Sequence, residues 1–144
     1  MKEKYIEDIK LEVLPYVSEH KSFFNSLRPN ELAEKMKIDF KHDKLESAQS
    51  PSYPSGHTTQ AYYCAFILAE EYPELEDQLF LVANMIAQAR IDRGVHFPSD
   101  NDGGILLAKR LYDMRKKASN SNVQITQELV SIANELDRRM LFSA

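Results

Sequence analysis

Apolar residues recur every three or four positions along most of the chain, a spacing that places them on one face of an α-helix. This periodicity predicts helices over residues 2–20 and 30–38, helices that begin near residues 55, 73 and 98, and a last helix after residue 122. No run alternates apolar and polar residues over the length that a β-strand requires. The pattern therefore predicts an all-α fold, a single-domain helical bundle of five or six main helices over residues 1–144.

Prolines and polar runs mark the predicted ends of these helices. Pro15 should kink or split the first helix, because proline lacks an N–H group and clashes with the preceding turn. Asn30 is a candidate N-cap for the short second helix. Residues 39–54 have little apolar periodicity and are predicted to form a long loop, a kind of segment that often has a function. Residues 118–122, ASNSN, are predicted to form a second loop.

Charge and composition restrict the classes of function. The chain has 22 acidic and 18 basic residues, a formal charge of −4, and no broad basic face, which argues against a nucleic-acid partner. The apolar run 61–69 is far shorter than the ~20 residues of a membrane span, and residues 1–12 lack the apolar core of a signal peptide. Cys64 alone cannot form an intrachain disulfide. As written, the chain is predicted to be soluble and cytoplasmic, or exported if a leader was removed.

Two cations follow the first predicted helix. Lys21 and Arg28 are seven residues apart, so on a continuous helix both would project from one face, separated by about 10 Å. Three apolar residues, Phe23, Phe24 and Leu27, would then be buried on the other side. Two cations on one helical face are also the usual pattern of a solvated surface, so this pair alone does not establish a site.

The tetrapeptide PSGH, residues 54–57, begins the strongest helical pattern of the chain. Ser55 is a good N-cap, and Gly56 has no side chain to cover the first free N–H groups. Such a helix start binds anions, because its N–H groups are free and its dipole is positive at this end. His57 in the first turn would reach the same anion. The plain alternative is an ordinary capped helix.

The stretch ARIDRGVHFPSD, residues 89–100, combines a cation, a histidine and a carboxylate. Pro98 restricts the residues before it to a turn, so His96 lies outside a helix and Asp100 falls in the first turn of the next one. There Asp100 would fix the tautomer and orientation of the His96 ring, while Arg90 supplies charge for an anion. A surface turn with a capping aspartate is the plain alternative.

These three segments together offer cations, N–H donors and two histidines to one phosphate group. In order, the chain reads K-x6-R-P from Lys21, P-S-G-H from Pro54 and A-R-x5-H-x3-D from Ala89. This order resembles the three-part signature of the type 2 phosphatidic acid phosphatase (PAP2) superfamily, with bacterial class A acid phosphatases as the most similar group. The family usually has serine where this chain has Ala89, which puts one hydrogen bond in doubt.

The resemblance implies an acid phosphatase or vanadium haloperoxidase-like bundle and a phosphatase that acts on small phosphomonoesters without a metal or other cofactor. It implies that His96 is the nucleophile that accepts the phosphoryl group and that Asp100 orients it. His57 would protonate the leaving oxygen and later activate water. The phosphate oxygens would be bound by Lys21, Arg28, Ser55, Gly56 and Arg90. No membrane span is expected, and self-association is left open.

Three other functions stay open. A metal-dependent helical phosphohydrolase would use His20, His42, Asp43 and another aspartate, but their spacing is poor for a ligand set. A non-catalytic phosphate-binding module would need none of the paired histidines and aspartate that are present. A vanadate-dependent oxidant is the third, although haloperoxidases of this superfamily are usually much larger. Metal removal, turnover of an aryl phosphate and halide oxidation distinguish the three.

Overall fold

A computed structural model describes residues 3–143, with side chains described as far as residue 139. The α-helices are α1 (Glu3–Glu12), α2 (Leu14–Phe24), α3 (Pro29–Lys35), α4 (Gly56–Glu71), α5 (Glu76–Asp92) and α6 (Pro98–Ser143). Two single 3-10 turns lie at Glu46–Ala48 and Pro73–Leu75. No β-strand occurs over residues 3–143, so the predicted all-α fold is confirmed. Within that range, no helix combines the length and the apolar character needed to cross a membrane.

The chain divides into two compact units, Met1–Tyr112 and Asp113–Ala144. The first contains α1 to α5 and the start of α6, together with all three motif segments. The second consists of the C-terminal part of α6. The single domain over residues 1–144 stays a prediction.

The core of the first unit is built on α4. The buried residues of this core contact one another, and within each helix they recur at helical spacing. They are Ile9, Val13, Val17, Tyr63, Cys64, Ile67, Leu68, Leu107, Ala108 and Leu111. Burial raises the pKa of the Cys64 thiol to about 11, so this cysteine is a protonated core residue. Periodic apolar positions on α1, α2, α4 and α6 thus form one core, as their spacing indicates.

Close contact between α4 and α6 positions the motif segments. A Cβ atom at Gly104 would lie 2.9 Å from the carbonyl oxygen of Ser55, so only glycine permits this approach. The approach allows the backbone N–H of Ser55 to donate to the carbonyl of Asp100 over 3.0 Å. This bond joins the start of α4, which carries the PSGH motif, to the start of α6, which carries Asp100.

The helix boundaries near the N-terminus agree in part with the sequence. The predicted break at Pro15 is confirmed, because α1 ends at Glu12 and α2 begins at Leu14. The N-cap at Asn30 is wrong: Arg28 caps α3, and Pro29 takes the first helical position, which its fixed φ favours. The carboxylate of Glu31 accepts from the Arg28 N–H over 3.0 Å, which stabilises this earlier start. The helix also ends earlier, at Lys35.

The continuous helical face for Lys21 and Arg28 is also wrong. Helix α2, which contains Lys21, ends at Phe24. The next residue, Asn25, has a left-handed backbone with φ 44°. Phe23 and Phe24 are 80% and 50% exposed, so they do not bury the opposite face. The turn directs Arg28 into the interior, where its side chain is 2% exposed.

The loop predicted over residues 118–122 is wrong, because α6 continues through it without interruption. The segment has no glycine or proline to end a helix. The Ser121 hydroxyl donates to the carbonyl of Lys117 over 3.0 Å, and Thr126 donates to that of Asn122 over 2.9 Å. These polar side chains therefore satisfy their hydrogen bonds within the helix. Residues 39–54, by contrast, are irregular apart from one 3-10 turn, as predicted.

Candidate active site

Five charged or titratable side chains of the motif segments are buried. They are Lys21, Arg28, Arg90, His96 and Asp100, and none is more than 8% exposed. Lysine, arginine and aspartate are rarely buried this deeply without a functional or paired role. The three segments, distant in sequence, therefore converge at one place in the first unit.

A cavity of about 340 Å³, called here the basic cavity, lies at this convergence. Among the predicted site residues, it is lined by Lys21, Arg28, Gly56, His57 and His96. The other three, Ser55, Arg90 and Asp100, are buried and do not line it. The structure thus brings the predicted residues together in two layers, one facing the cavity and one behind its wall.

The tautomer of His96 follows from its two neighbours. Its Nδ1 is 3.1 Å from Asp100 Oδ2, and its Nε2 is 3.0 Å from Arg28 Nη1. An arginine can only donate, so Nε2 must accept and the ring proton lies on Nδ1, which donates to the carboxylate. His96 therefore presents a nitrogen lone pair toward the cation.

Asp100 is held in place by three donors to one oxygen. Oδ2 accepts from His96 Nδ1, from the Phe97 N–H over 2.8 Å and from the Ser52 hydroxyl. Burial alone would raise the pKa of Asp100, but these hydrogen bonds together hold it below its usual value. The pKa of His96 is lowered, by burial first, against the raising effect of Asp100 and with a further lowering by Arg28. A neutral imidazole beside an ionised carboxylate results.

Arg28 is fixed by the loop over residues 39–54. Its Nε donates to the carbonyl of Ser50 over 2.8 Å, and its Nη1 donates to that of Val95 over 3.0 Å. These bonds orient the planar guanidinium beside the ring of His96. The long loop predicted to be functional therefore positions a cation of the site.

Arg90 and Lys21 complete the positive charge. Arg90 comes from the last turn of α5, and its Nε is buried without a hydrogen-bond partner among the described residues. Lys21 donates to the carbonyl of Pro51 over 2.5 Å. Burial, and then the charge of Arg28, lowers the pKa of Lys21 to about 8. Unpaired buried donors and mutually repelling cations are the features expected of an anion site.

His57 lies in the first turn of α4, which Ser55 caps by accepting from the Thr58 N–H over 3.3 Å. Its side chain is partly open to solvent. Burial, and then the positive charge of Arg90, lowers the pKa of His57 to about 4. His57 is therefore neutral near pH 7 in the free site, and a bound anion would offset the repulsion and raise its pKa.

The sequence analysis did not predict the contacts of two buried polar residues, Ser52 and Asn101. Ser52 precedes the PSGH motif and donates to Asp100, 48 residues away. Asn101 follows Asp100; it accepts from the Thr58 hydroxyl over 2.6 Å and donates to the Ala87 carbonyl over 2.9 Å. Both residues are next to motif residues in the sequence, and this position could have indicated their roles, because a polar residue buried in a helical bundle requires hydrogen-bond partners.

The alternative metal ligands are not brought together. His20 lies on α2, and its Nδ1 is 2.7 Å from the carbonyl of Tyr16. His42 stacks on Phe40 in the long loop, and Asp43 pairs with Arg93 at 3.9 Å. No cluster of three or more histidine, cysteine, aspartate or glutamate residues suited to a metal ion occurs in the described part of the chain.

Two curated bacterial proteins are similar to a part of this chain. A non-specific acid phosphatase from Providencia stuartii is 36% identical over 66 residues, which cover 46% of this chain and 26% of that protein. An acid phosphatase from Zymomonas mobilis subsp. mobilis is 35% identical over 66 residues, covering 46% and 25%. The match thus spans about a quarter of the length of these relatives.

A solved structure and a family model extend the similarity to most of the chain. The crystal structure of a transmembrane PAP2 type phosphatidylglycerolphosphate phosphatase from Bacillus subtilis aligns with a TM-score of 0.56 and 24% identity, covering 81% of this chain and 58% of that chain. At this identity the alignment shows a shared fold. The model of the PAP2 superfamily matches residues 11–111, a range that contains all three motif segments. With that match, the chain belongs to the PAP2 superfamily.

Proposed function

We propose that the chain is a phosphatase that hydrolyses small phosphomonoesters through a phosphohistidine intermediate on His96, without a metal ion. One observation carries the proposal: His96 and Arg28 both line the basic cavity, with Arg28 Nη1 3.0 Å from His96 Nε2 and Asp100 bound to the other nitrogen of the ring. Family membership and the acid phosphatases among the relatives support phosphoester hydrolysis as the reaction.

In the first step, Nε2 of His96 attacks the phosphorus atom of the bound ester. The N–P bond forms as the P–O bond to the alcohol breaks, and His57 gives its proton to the leaving oxygen. Asp100 stabilises the imidazolium that results, through the proton on Nδ1. Arg28 turns its N–H groups from the ring to the phosphate oxygens, which frees the lone pair for attack.

In the second step, His57 removes a proton from water, which attacks the phosphorus of the phosphohistidine. The N–P bond breaks, inorganic phosphate forms and His57 is again protonated for the next ester. The protonated state of His57 needs the bound dianion, because its pKa is about 4 in the free site. Lys21, Arg28 and Arg90 supply the charge stabilisation that metal ions provide in other phosphoryl-transfer enzymes.

The test is to trap the intermediate. The enzyme is mixed with an aryl phosphate, quenched within milliseconds under non-acidic denaturing conditions, and the peptide that contains His96 is examined by mass spectrometry. We expect phosphate on His96 in the wild type and its accumulation in His57→Ala, because an aryl oxide leaves without protonation but water lacks its base. General acid–base catalysis is worth about 10²–10⁴-fold, so turnover of this variant should fall by that factor. His42→Ala serves as the matched control and should behave as wild type.

Phosphate on His57, or labelling that persists in His96→Ala, would refute the assigned roles. Activity should also survive exhaustive chelation, and vanadate should inhibit competitively because it adopts the five-coordinate geometry of the transition state. Complete loss of activity with EDTA, restored by a divalent metal, would refute the metal-free mechanism.

A further inference from the structure

The second unit, the C-terminal part of α6, exposes large apolar side chains to water. Four of them form what is called here the apolar stripe, and each is between 54% and 61% exposed: Ile125, Leu129, Ile132 and Leu136. A contiguous apolar surface of this kind marks an interaction site more often than isolated apolar residues do. The apolar stripe therefore indicates that this part of α6 binds a partner.

The spacing of the apolar stripe is that of a coiled coil. Its steps of four, three and four residues follow the heptad repeat, with isoleucine at the d positions and leucine at the a positions. At 3.6 residues per turn, the four side chains fall within about 60° around the helix axis. The apolar face of a helix that packs on a globular core is wider, about 100° or more. The apolar stripe thus fits a seam between long helices.

The residues beside the apolar stripe favour a second copy of the chain over a membrane surface. Residues 118–134 contain one charged residue, Glu128, and no lysine or arginine to attract anionic lipids. The flanking hydroxyls of Ser121 and Thr126 donate to carbonyls of their own helix. Between parallel copies, the g position of Glu128 would lie against the e position of Ala133, so no like charges would meet.

Asn122 determines which way the copies run. It lies three residues before Ile125, at an a position of the same heptad repeat. In parallel copies it would face another Asn122, and the two amides would bond to each other. In antiparallel copies, with Ile125 beside Leu129, it would face Ile132 and its buried amide would lose its hydrogen bonds. The polar position therefore favours the parallel arrangement.

We infer that the chain self-associates through its second unit, as a parallel coiled coil of identical chains whose apolar stripes form the seam. Leucine at a with isoleucine at d favours more than two strands, so the expected assembly has three or four chains. The inference goes beyond the proposed function and does not depend on it, because the stripe lies in the second unit and the motif segments lie in the first.

The experiment measures the mass of the full chain by sedimentation over about three decades of concentration. We expect three or four chains for the wild type, and an association at least about 100-fold weaker for Leu129→Glu and Ile132→Glu, because each assembly loses several buried side chains. The matched controls are Val123→Glu and Val130→Glu, which are 53% and 55% exposed and lie outside the apolar stripe. Both controls should associate as the wild type does.

Folding and orientation are checked on the same proteins. All seven tyrosines lie in the first unit, so their near-ultraviolet circular dichroism should be unchanged in every variant. Asn122→Cys should be cross-linked between chains by a short bismaleimide. In antiparallel copies the two cysteines would be ten residues apart along the axis, about 15 Å, which is beyond its reach. The wild type is the control, because its Cys64 is buried and should not react.

Three results would overturn the inference. The first is a monomer at every concentration, and the second is an assembly that Leu129→Glu and Val130→Glu weaken equally. The third is an Asn122→Cys variant that assembles but is not cross-linked. Phosphate release from an aryl phosphate is measured separately, so that an assembly without turnover would support the inference and refute the proposed function.

Discussion

Replacement of Lys21 by methionine should make the protein more stable and less active. Lys21 is 8% exposed, and burial and then the positive charge of Arg28 disfavour its ammonium group, against a smaller favourable effect of Asp100. Methionine keeps the length and flexibility of the side chain but removes the charge. When a residue serves function at a cost in stability, its replacement should raise stability and lower activity.

The magnitude follows from the pKa of Lys21, which falls from its usual 10.5 to about 8. One pH unit corresponds to about 1.4 kcal/mol, so the folded protein disfavours the charged form by about 3 kcal/mol. The hydrogen bond from the charged ammonium group to the Pro51 carbonyl is lost in the variant, which costs about 2 kcal/mol. The net gain in unfolding free energy at pH 7 is therefore about 1 kcal/mol, or roughly 3 °C in Tm for a chain of this size.

The pH dependence has a definite sign. Between pH 8 and 10.5 the unfolded wild type holds a proton on Lys21 that the folded protein has released, so wild-type stability rises with pH in this window. The variant lacks this group, and its advantage should shrink from pH 7 to pH 10. Phosphate-free buffers are needed, because a bound anion would stabilise the wild type selectively.

The assay is urea unfolding at pH 7 and pH 10, together with kcat/KM for an aryl phosphate. Lys35→Met, at an exposed position of α3, is the control and should change stability by no more than about 0.5 kcal/mol. Loss of one donor to the transition state should lower the activity of Lys21→Met by about 100-fold or more. A variant less stable than wild type at pH 7, or a difference that is the same at pH 10, would refute the reasoning.

Three further predictions concern the surroundings of the nucleophile. Ser52→Ala removes one donor to Asp100 and should raise the pKa of that carboxyl, so the acid limb of kcat should shift to higher pH and kcat should fall about tenfold with KM unchanged. Asn101→Ala leaves the Thr58 hydroxyl without its acceptor and removes the side-chain donor to a carbonyl of α5, and urea unfolding should show a loss of about 1–3 kcal/mol. Sulfate, whose charge is constant over this range, should bind more tightly by calorimetry as the pH falls from 6 toward 4, because its binding raises the pKa of His57 from about 4.

Each of these has an outcome that contradicts it. An unchanged pH profile in Ser52→Ala would mean that its hydroxyl does not act through Asp100. An Asn101→Ala variant that is as stable as the wild type would contradict a stabilising role for the hydrogen bonds that join α6 to α4 and α5. Sulfate affinity that increases equally in His57→Ala would assign the proton uptake to another group.

The sequence by itself determined the features that depend on neighbouring residues. Pro15 would disrupt the interior of a helix and therefore lies in the first turn of α2, and Ser55 caps the helix that follows it through a bond to a residue three positions on. His96 and Asp100 are four residues apart across a helix start, so their contact is also local. These short-range rules were enough to identify the motif segments and the all-α fold.

Only the tertiary structure decided how those segments meet. Arg28 reaches His96 across 68 residues because α2 stops at Phe24, and a left-handed residue there is not evident from periodicity. The contact between Ser52 and Asp100 likewise joins chain segments far apart in sequence. Local rules describe single turns of the chain, whereas such contacts depend on how whole helices pack, because packing sets which distant side chains become neighbours.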